Sequence, residues 1–370
     1  MKVLFITNQV KAYNTGFQND FEPLLSLKHE IFWAANFNGF LDNFESVPAK
    51  IINLPISSHP FARGNYKSYK ALIKIVLKNK IDVILCSTPI GGFLGRLVAK
   101  KTKTKVIYAA HGLLFYKGAP LLNNTIYKLQ EKIMAKWTDV IITINNEDYV
   151  AMSRIKKKNG CKLYLVHGAG VDVDNRTFCD FDVNKKREEL GISKESYLLT
   201  SIGFLNKNKN YKVVINSLPL LPQGINVQYI ICGDGDEKNK LLSLSKKRGV
   251  ASRIHFLGYR TDVLEIIKAS DIIIVPSFRE GVPRVVLESM NLNVPCIGSN
   301  TRGIRELIGL ENSQMLCNPK CPKDFARAIC NVIDNQQLCK SVLERNFKEA
   351  QKYTSDIVRK ELYEIFKENI

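Results

Sequence analysis

The sequence lacks a long apolar segment. Its first ten residues, MKVLFITNQV, hold one short apolar run that becomes polar at Thr7. This run is far below the length of a signal peptide's apolar region or of a membrane span. We therefore interpret it as a first β-strand and expect a cytoplasmic protein.

The sequence also lacks the closely spaced cysteines of a metal site. None of its 9 cysteines forms a Cys-x-x-Cys pair, and most stand among Val, Leu and Ile, as reduced core residues do. Cys317 and Cys321 have no second Cys or His pair at ligand spacing near them. The sequence therefore predicts no metal.

Acidic residues are in deficit. The chain has 54 Lys and Arg against 35 Asp and Glu, which gives a net charge of +19. Residues 1–180 hold 25 basic and 13 acidic residues, so the N-terminal half is the more basic. This excess favours an anionic partner, either an acidic membrane surface or nucleic acid, over the alternative of a merely soluble basic surface. The lysines are spread widely and form no RNP-like or zinc-finger pattern, which argues against nucleic acid.

Length and pattern predict two α/β domains. With 370 residues, 45% of them hydrophobic, the chain exceeds what one core usually supports. Apolar, β-rich runs alternate with helical stretches in two successive series, as in parallel sheets that are buried on both faces. The first series comprises 3–7, 81–88, 105–112, 139–144 and 162–168, and the second comprises 197–203, 227–235, 253–258, 271–277 and 294–300.

The repeated series predicts two Rossmann-like domains whose parallel sheets face a central cleft. We expect an N-terminal domain over residues 1–170 and a C-terminal domain over residues 171–354. Residues 355–370 have apolar positions at helical spacing and should form a closing helix that packs back on the first domain. Ligands should bind where loops leave the carboxyl ends of the strands.

The segment 63–80 predicts a basic amphipathic helix. Lys67, Lys70, Lys74 and Lys78 recur at spacings of three and four, opposite a second face that carries Leu72, Ile75, Val76 and Leu77. Two interpretations stay open: a crossover helix with a solvated lysine face, or a contact with a membrane surface.

The segment PSFREGVPRVVLESM predicts an anion site between two carboxylates. Pro283 suits the first turn of a helix, whose N–H groups and dipole favour a phosphate. Glu280 then stays in the preceding loop, and Glu288 lies about 7 Å along the helix. This spacing fits a nucleoside diphosphate sugar, with one carboxylate for the sugar hydroxyls and the other for the ribose.

With this segment, the sequence resembles the large retaining GT-B glycosyltransferase family of the family 4 type, marked by the E-x7-E motif. That family includes many bacterial capsule and exopolysaccharide transferases. The resemblance extends over nearly the whole chain and is most specific from Gly203 to Glu306. It implies that Glu280 contacts the donor sugar and Glu288 the ribose. It also places the donor against Gly281, Val282 and Pro283.

The stretch SIGFLNKNKN at 201–210 is similar to the family's G-R-L-x-x-x-K-G loop. The resemblance implies that Gly203 and Asn206 belong to the donor site and that Lys209 neutralises the donor diphosphate. Phe204 stands where the family often has arginine, so one phosphate contact is missing or comes from Asn206 or Lys207.

Two further loops resemble the family's nucleotide-binding elements. Gly233 and Gly235 match a strand-to-helix turn, which we interpret as mostly structural. Tyr259 and Arg260 match the loop whose main-chain groups contact the base, and they favour uridine over guanosine.

The N-terminal half supplies the remaining candidates. The resemblance implies that His111, directly after a strand, reaches the donor sugar across the cleft. It also places acceptor-binding residues in the first loop, at Thr15, Gly16 and Phe17, and the loop at 87–96 should help to line the acceptor side.

The resemblance implies sugar transfer with retention of configuration, in which the donor's β-phosphate assists the incoming hydroxyl. Neither glutamate needs to be a general acid, and no cofactor is expected because the nucleotide-sugar is a substrate. The expected acceptor is a glycan, lipid-linked, at the inner face of the membrane. A nucleotide-sugar epimerase of similar shape and a basic nucleic-acid-binding protein are the alternatives. The acidic pair beside the proposed site would repel a nucleic-acid backbone.

Overall fold

The computed structural model describes residues 1–10, 17–40, 44, 46–116, 118–168 and 170–370. The chain forms two compact units. Met1–Gly170 and Ser355–Ile370 make up the N-terminal unit, and Val171–Thr354 makes up the C-terminal unit. Each unit holds one sheet of parallel strands surrounded by helices, which confirms the predicted α/β class.

The sheet of the N-terminal unit has the order β3-β2-β1-β4-β5-β6-β7. Its strands are β1 (Lys2–Gln9), β2 (Glu30–Asn36), β3 (Lys50–Asn53), β4 (Val83–Ser87), β5 (Lys105–Ala110), β6 (Val140–Thr143) and β7 (Lys162–Leu165). The helices between them are α1 (Gln18–Ser26), α2 (Arg63–Asn79), α3 (Pro89–Thr102), α4 (Leu121–Met134) and α5 (Asn146–Ser153). The central strands are largely apolar because helices cover both of their faces.

The sheet of the C-terminal unit has the order β10-β9-β8-β11-β12-β13. Its strands are β8 (Tyr197–Ile202), β9 (Val227–Cys232), β10 (Ile254–Gly258), β11 (Ile272–Val275), β12 (Cys296–Ser299) and β13 (Leu316–Cys317). Its helices are α6 (Val183–Glu189), α7 (Tyr211–Ser217), α8 (Lys238–Lys247), α9 (Val263–Ala269), α10 (Arg284–Asn291), α11 (Arg302–Ile308), α12 (Pro322–Asp334) and α13 (Gln336–Ala350).

The last helix, α14 (Ser355–Asn369), packs against α1 of the N-terminal unit. It buries Val358 and Phe366 in the core, and Arg359 forms an ion pair with Glu22 at 2.9 Å. Among the helices of the described residues, none is both long enough and apolar enough to cross a bilayer.

Three strands were not predicted from the sequence. β2 is buried along most of its length, β3 is a four-residue edge strand and β13 contains only two residues. The last two are too short to show a period, and pairing with a neighbouring strand defines them.

Helix α2 agrees with the predicted basic helix except at one position. Its lysines are exposed, and Leu72 and Val76 are buried as expected. Leu77, which was predicted on the buried face, is exposed to solvent because it lies one helical step away from Val76.

Each sheet has one point at which the strand order reverses. In the N-terminal unit this point lies between β1 and β4, and in the C-terminal unit between β8 and β11. Loops diverge from the carboxyl ends of two such strands and leave a crevice where ligands of α/β proteins bind. This topology predicts a ligand-binding site at the loops that follow β8 and β11.

Candidate functional site

A lysine and a glutamate meet at the reversal point of the C-terminal unit. Lys209 lies in the loop after β8 and Glu280 in the loop after β11. The Nζ atom of Lys209 is 2.9 Å from Oε1 of Glu280, and the two side chains are 24% and 15% exposed. The structure thus brings together two predicted site residues that stand 71 positions apart in the sequence.

Hydrogen bonds join the two loops on either side of this ion pair. The side-chain Nδ2 of Asn208 donates to the backbone carbonyl of Arg279 at 2.9 Å, and the backbone N–H of Phe278 donates to the backbone carbonyl of Asn208 at 2.8 Å. Asn210 adopts a left-handed backbone and donates to the carbonyl of Pro276 at 3.0 Å. These bonds fix the backbone that carries Lys209 against the backbone that carries Glu280.

The loop after β8 also packs tightly against its own neighbours. Gly203 has φ +140°, and a Cβ there would lie 3.1 Å from Cε of Lys209. A Cβ on Gly233 would come within 2.0 Å of the Gly203 carbonyl oxygen, and one on Gly235 within 2.5 Å of the Leu205 carbonyl oxygen. Only glycine permits these backbone approaches, so both turns support the position of Lys209.

Asn206 and Phe204 occupy the same loop. The Oδ1 atom of Asn206 accepts a hydrogen bond from the N–H of Lys209 at 3.1 Å, so this side chain shapes the loop. Phe204 is 54% exposed. An exposed ring at this position provides no cation for a phosphate, whereas Lys207 is an exposed cation in the same loop.

Helix α11 holds the loop of Glu280 from the other side. The Nε atom of Arg302 donates to the carbonyl of Glu280 at 3.2 Å. A Cβ on Gly303 would lie 1.7 Å from the Gly281 carbonyl oxygen, so the helix touches the loop backbone directly. Neither residue was predicted from the sequence, where the only signal was an Arg-Gly pair shortly after a predicted strand.

Glu288 lies on α10, which begins at Arg284 with Pro283 at its N-cap. Gly281 and Val282 precede that end of the helix, and Pro283 has no side-chain group that could cap it. Burial raises the pKa of Glu288, and Arg284, with its Nε 3.8 Å from Oε1, partly opposes this shift. A mostly buried carboxyl therefore stands one turn inside a helix N-terminus that has no side-chain cap.

Tyr259 and Arg260 follow β10. Tyr259 is 84% exposed, and Nε of Arg260 donates to Oδ1 of Asp262 at 2.7 Å. Hydrogen bonds from Arg260 and then from the buried Lys186 hold the pKa of Asp262 far below its ordinary range, although burial opposes this shift. The side chain of Arg260 is thus held by Asp262. The carbonyl of Gly258 accepts a hydrogen bond from the N–H of Gly233 at 2.6 Å.

His111 directly follows β5 in the N-terminal unit and keeps an exposed surface. The surrounding protein desolvates the imidazole and lowers the pKa of His111, so the ring is neutral at neutral pH. It lines a small cavity that also touches Tyr108 and Glu131. A neutral imidazole here can donate one hydrogen bond and accept another.

A second cavity beside His111 contains a carboxyl that the sequence analysis missed. Asp20 on α1 is 6% exposed, and burial raises its pKa to about 7. Its only signal in the sequence was an acidic residue next to Phe21.

Two of the three predicted acceptor residues cannot be placed. Thr15 and Gly16 lie outside the described residues. Phe17 is described, and its ring packs 5.1 Å from that of Trp33 and 5.7 Å from that of Phe5. These contacts place Phe17 in the aromatic core beside α1.

Comparisons with known proteins agree with this architecture. The family model described as "Glycosyl transferases group 1" matches residues 182–351, and "Glycosyl transferase 4-like" matches residues 45–145. EpsD of Bacillus subtilis, whose name assigns it to the glycosyltransferases, is 31% identical over 85% of this chain and 84% of its own. An Escherichia coli α-1,3-galactosyltransferase, named for UDP-Gal and an α-D-GlcNAc-diphosphoundecaprenol substrate, is 28% identical over 76% of this chain and 73% of its own.

The fold also matches solved structures. The structure of HepE from Anabaena in complex with UDP and glucose aligns over 100% of both chains, with a TM-score of 0.78 at 18% identity. Two parallel α/β sheets with this topology define a protein of the GT-B fold. The chain belongs to the group 1 glycosyltransferases.

Proposed function

We propose that this glycosyltransferase moves a sugar, with retention of configuration, from a UDP-sugar to a lipid-linked glycan acceptor in capsule, exopolysaccharide or O-antigen synthesis. The ion pair between Lys209 and Glu280 carries the proposal. It combines a cation for a diphosphate with a carboxylate for sugar hydroxyls, at the strand-order reversal where ligands of this fold class bind.

The donor diphosphate lies, in this proposal, between Lys209 and the N-terminus of α10. Both are electropositive, and Pro283 leaves the helix end without a side-chain cap. The UDP complex of HepE and the UDP-Gal in the name of the Escherichia coli relative support UDP as the nucleotide of the donor. The sugar is a hexose or an N-acetylhexosamine, and Glu280 orients its hydroxyls.

Glu288 holds the ribose. A carboxylate accepts hydrogen bonds from two neighbouring hydroxyls, and a partly desolvated carboxylate gains more from them than an exposed one. Burial raises the pKa of Glu288 and so disfavours its charged form, and hydrogen bonds donated by the ribose hydroxyls would stabilise that form. Main-chain groups at Tyr259 and Arg260 contact the base.

The chemistry rests on positioning and charge. The acceptor hydroxyl attacks the anomeric carbon on the face that the nucleotide leaves, and the donor's β-phosphate takes its proton. Lys209 then stabilises the departing nucleoside diphosphate. We further propose that His111 contacts the donor sugar as a neutral imidazole and that no metal is required. Addition of EDTA should therefore leave the transfer rate unchanged.

Charge and relatives support the proposed acceptor and location. The net charge of +19 suits a lipid diphosphate and the anionic inner face of a membrane, where the protein would bind peripherally from the cytoplasm. The names of relatives from Escherichia coli and Campylobacter jejuni include diphosphoundecaprenol and diphospho-undecaprenol acceptors.

A thermal-shift panel of UDP-, GDP-, ADP- and TDP-sugars tests the donor, because a ligand far above its Kd stabilises the folded state. UDP-sugars should raise the melting temperature, and Lys209→Met should remove that rise, while Lys246→Met, at an exposed lysine in the last turn of α8, should leave it unchanged. NMR of the product should then show the anomeric configuration of the donor. An inverted product would refute the retaining mechanism, and epimerised donor formed without acceptor would favour the epimerase.

A further inference from the structure

Helix α4 of the N-terminal unit exposes an apolar face. Leu122, Ile126, Leu129 and Ile133 follow one another at spacings of four, three and four, and so fall on one line along the helix. Their exposed fractions run from 71% at Leu122 to 43% at Ile133. We call these four residues the apolar stripe. A contiguous apolar surface of this kind marks an interaction site.

The opposite face of α4 anchors the helix firmly. The guanidinium of Arg96 on α3 is buried and forms two hydrogen bonds with Glu131 of α4, at 2.6 and 2.9 Å. It also stacks on Tyr108, with Cζ 3.9 Å from the ring centre. Because α4 is anchored through this buried pair, the apolar stripe is presented to solvent on a fixed element.

A basic groove begins where α4 ends. Five exposed lysines line it at the amino ends of β5 and β6: Lys100, Lys103, Lys105, Lys136 and Lys158. Trp137 lies among them, with Nζ of Lys100 3.6 Å from its ring centre. Among the described residues that line the groove, Asp139 is the only acidic one, and it pairs with Lys158. We call the five lysines with Trp137 the lysine groove.

We propose that the apolar stripe and the lysine groove together form the surface by which this protein docks on an anionic phospholipid bilayer. The apolar stripe inserts into the interfacial region of the bilayer, and the lysines of the lysine groove bind the phosphates of the lipid headgroups. This assignment rests on the proposed lipid-linked acceptor, and it places membrane contact on α4 rather than on the basic face of α2.

Charge favours a bilayer over a second copy of this chain. The N-terminal unit holds 27 Lys and Arg against 14 Asp and Glu, a net charge of +13. Two such surfaces repel each other, whereas an anionic leaflet attracts both. An isolated polyanion, such as nucleic acid, would be drawn to the lysines but would gain nothing from four exposed aliphatic side chains.

Vesicle co-sedimentation of the full chain tests the proposal. Phosphatidylcholine vesicles with and without phosphatidylglycerol are compared for three variants. The stripe variant changes Leu122, Ile126, Leu129 and Ile133 to Gln. The groove variant changes Lys100, Lys103, Lys105 and Lys136 to Gln. The matched control changes Lys67, Lys70, Lys74 and Lys78 on α2 to Gln and so removes the same charge.

The wild type and the α2 control should bind anionic vesicles, and the groove variant should bind on the order of a hundredfold more weakly. The stripe variant should also lose binding, although its charge is unchanged. Emission from Trp137 should shift to shorter wavelength on vesicle binding and should not do so in Trp137→Phe; the second tryptophan, Trp33, is buried.

Three results would overturn the proposal. The first is an α2 control that loses as much affinity as the groove variant, since binding would then follow net charge alone. The second is a stripe variant that binds like the wild type, which indicates a polyanion site. The third is a stripe variant that converts a dimer to a monomer in light scattering. A UDP thermal shift on the same samples separates these results from a failure of the proposed function.

Discussion

The ion pair between Lys209 and Glu280 makes a prediction that separates binding from catalysis. In the structure Oε1 of Glu280 lies 2.9 Å from Nζ of Lys209, the ammonium group that we propose for the donor diphosphate. Glu280 therefore competes with the diphosphate for this cation. Glu280→Gln keeps the shape of the side chain and removes its charge. We expect UDP, which lacks the transferred sugar, to bind more tightly to this variant, while sugar transfer falls.

The magnitude follows from the burial of the pair. Both side chains are mostly enclosed but reach solvent, so their attraction lies near the upper end for exposed pairs, at about 1 kcal/mol. Release of that competition should lower the Kd for UDP by about fivefold. Loss of the carboxylate that orients the sugar should lower the transfer rate by a hundredfold or more, the usual cost of one positioned group.

Isothermal titration with UDP and a transfer assay with the UDP-sugar measure the two effects. Lys209→Met loses a charge-assisted contact and should weaken UDP binding by tenfold to a hundredfold. Lys246→Met, at an exposed lysine in the last turn of α8, is the matched control and should change neither quantity. If Glu280→Gln weakened UDP as much as Lys209→Met does, the glutamate would only support the loop, and the reasoning from competition would be wrong.

Three further predictions concern stability and loop position. Neutral Asp20 stabilises the fold at low pH, and this contribution is lost as the pH rises from about 4 through about 7, because burial raises the pKa of its carboxyl. Asp20→Asn should therefore stabilise the protein by up to about 4 kcal/mol at pH 8 and by much less at pH 5. Urea unfolding at the two pH values measures this difference. Glu131→Gln should cost about 3–5 kcal/mol in the same assay, because it leaves the charge of Arg96 buried without its partner, and a cost within error would contradict the buried pair. Gly303→Ala should weaken UDP-sugar binding with little change in circular dichroism, since its Cβ would push the carbonyl of Gly281; unchanged binding would show that the loop yields freely.

Parts of the site could be predicted because the signals were local. Lys209, Glu280 and Glu288 stand directly after apolar strands or in the first turns of a helix, where the sequence shows both the strand and its end. The support from Arg302 and Gly303 could not be predicted in this way. Their contacts to the loop of Glu280 depend on how α11 packs, and nothing in TRGIREL marks that approach.

The surface proposed to meet the membrane shows the same limit. The spacing of lysines on α2 drew attention to that helix, whereas α4 carries an apolar row that is equally typical of a buried face. A hydrophobic period shows that one face of a helix differs from the other, but it does not show which face meets the sheet. In the structure Glu131 pairs with the buried Arg96, so the face of α4 that carries Glu131 packs inward and the apolar stripe on the opposite face is exposed.

By itself, the sequence determined that the chain has two α/β units and which loops end their strands, because the apolar content and period of a segment reflect its own burial. Only the tertiary structure decided that β8 lies beside β11, and hence that Lys209 meets Glu280. Strand order depends on packing between segments distant in the chain, and no local pattern encodes it.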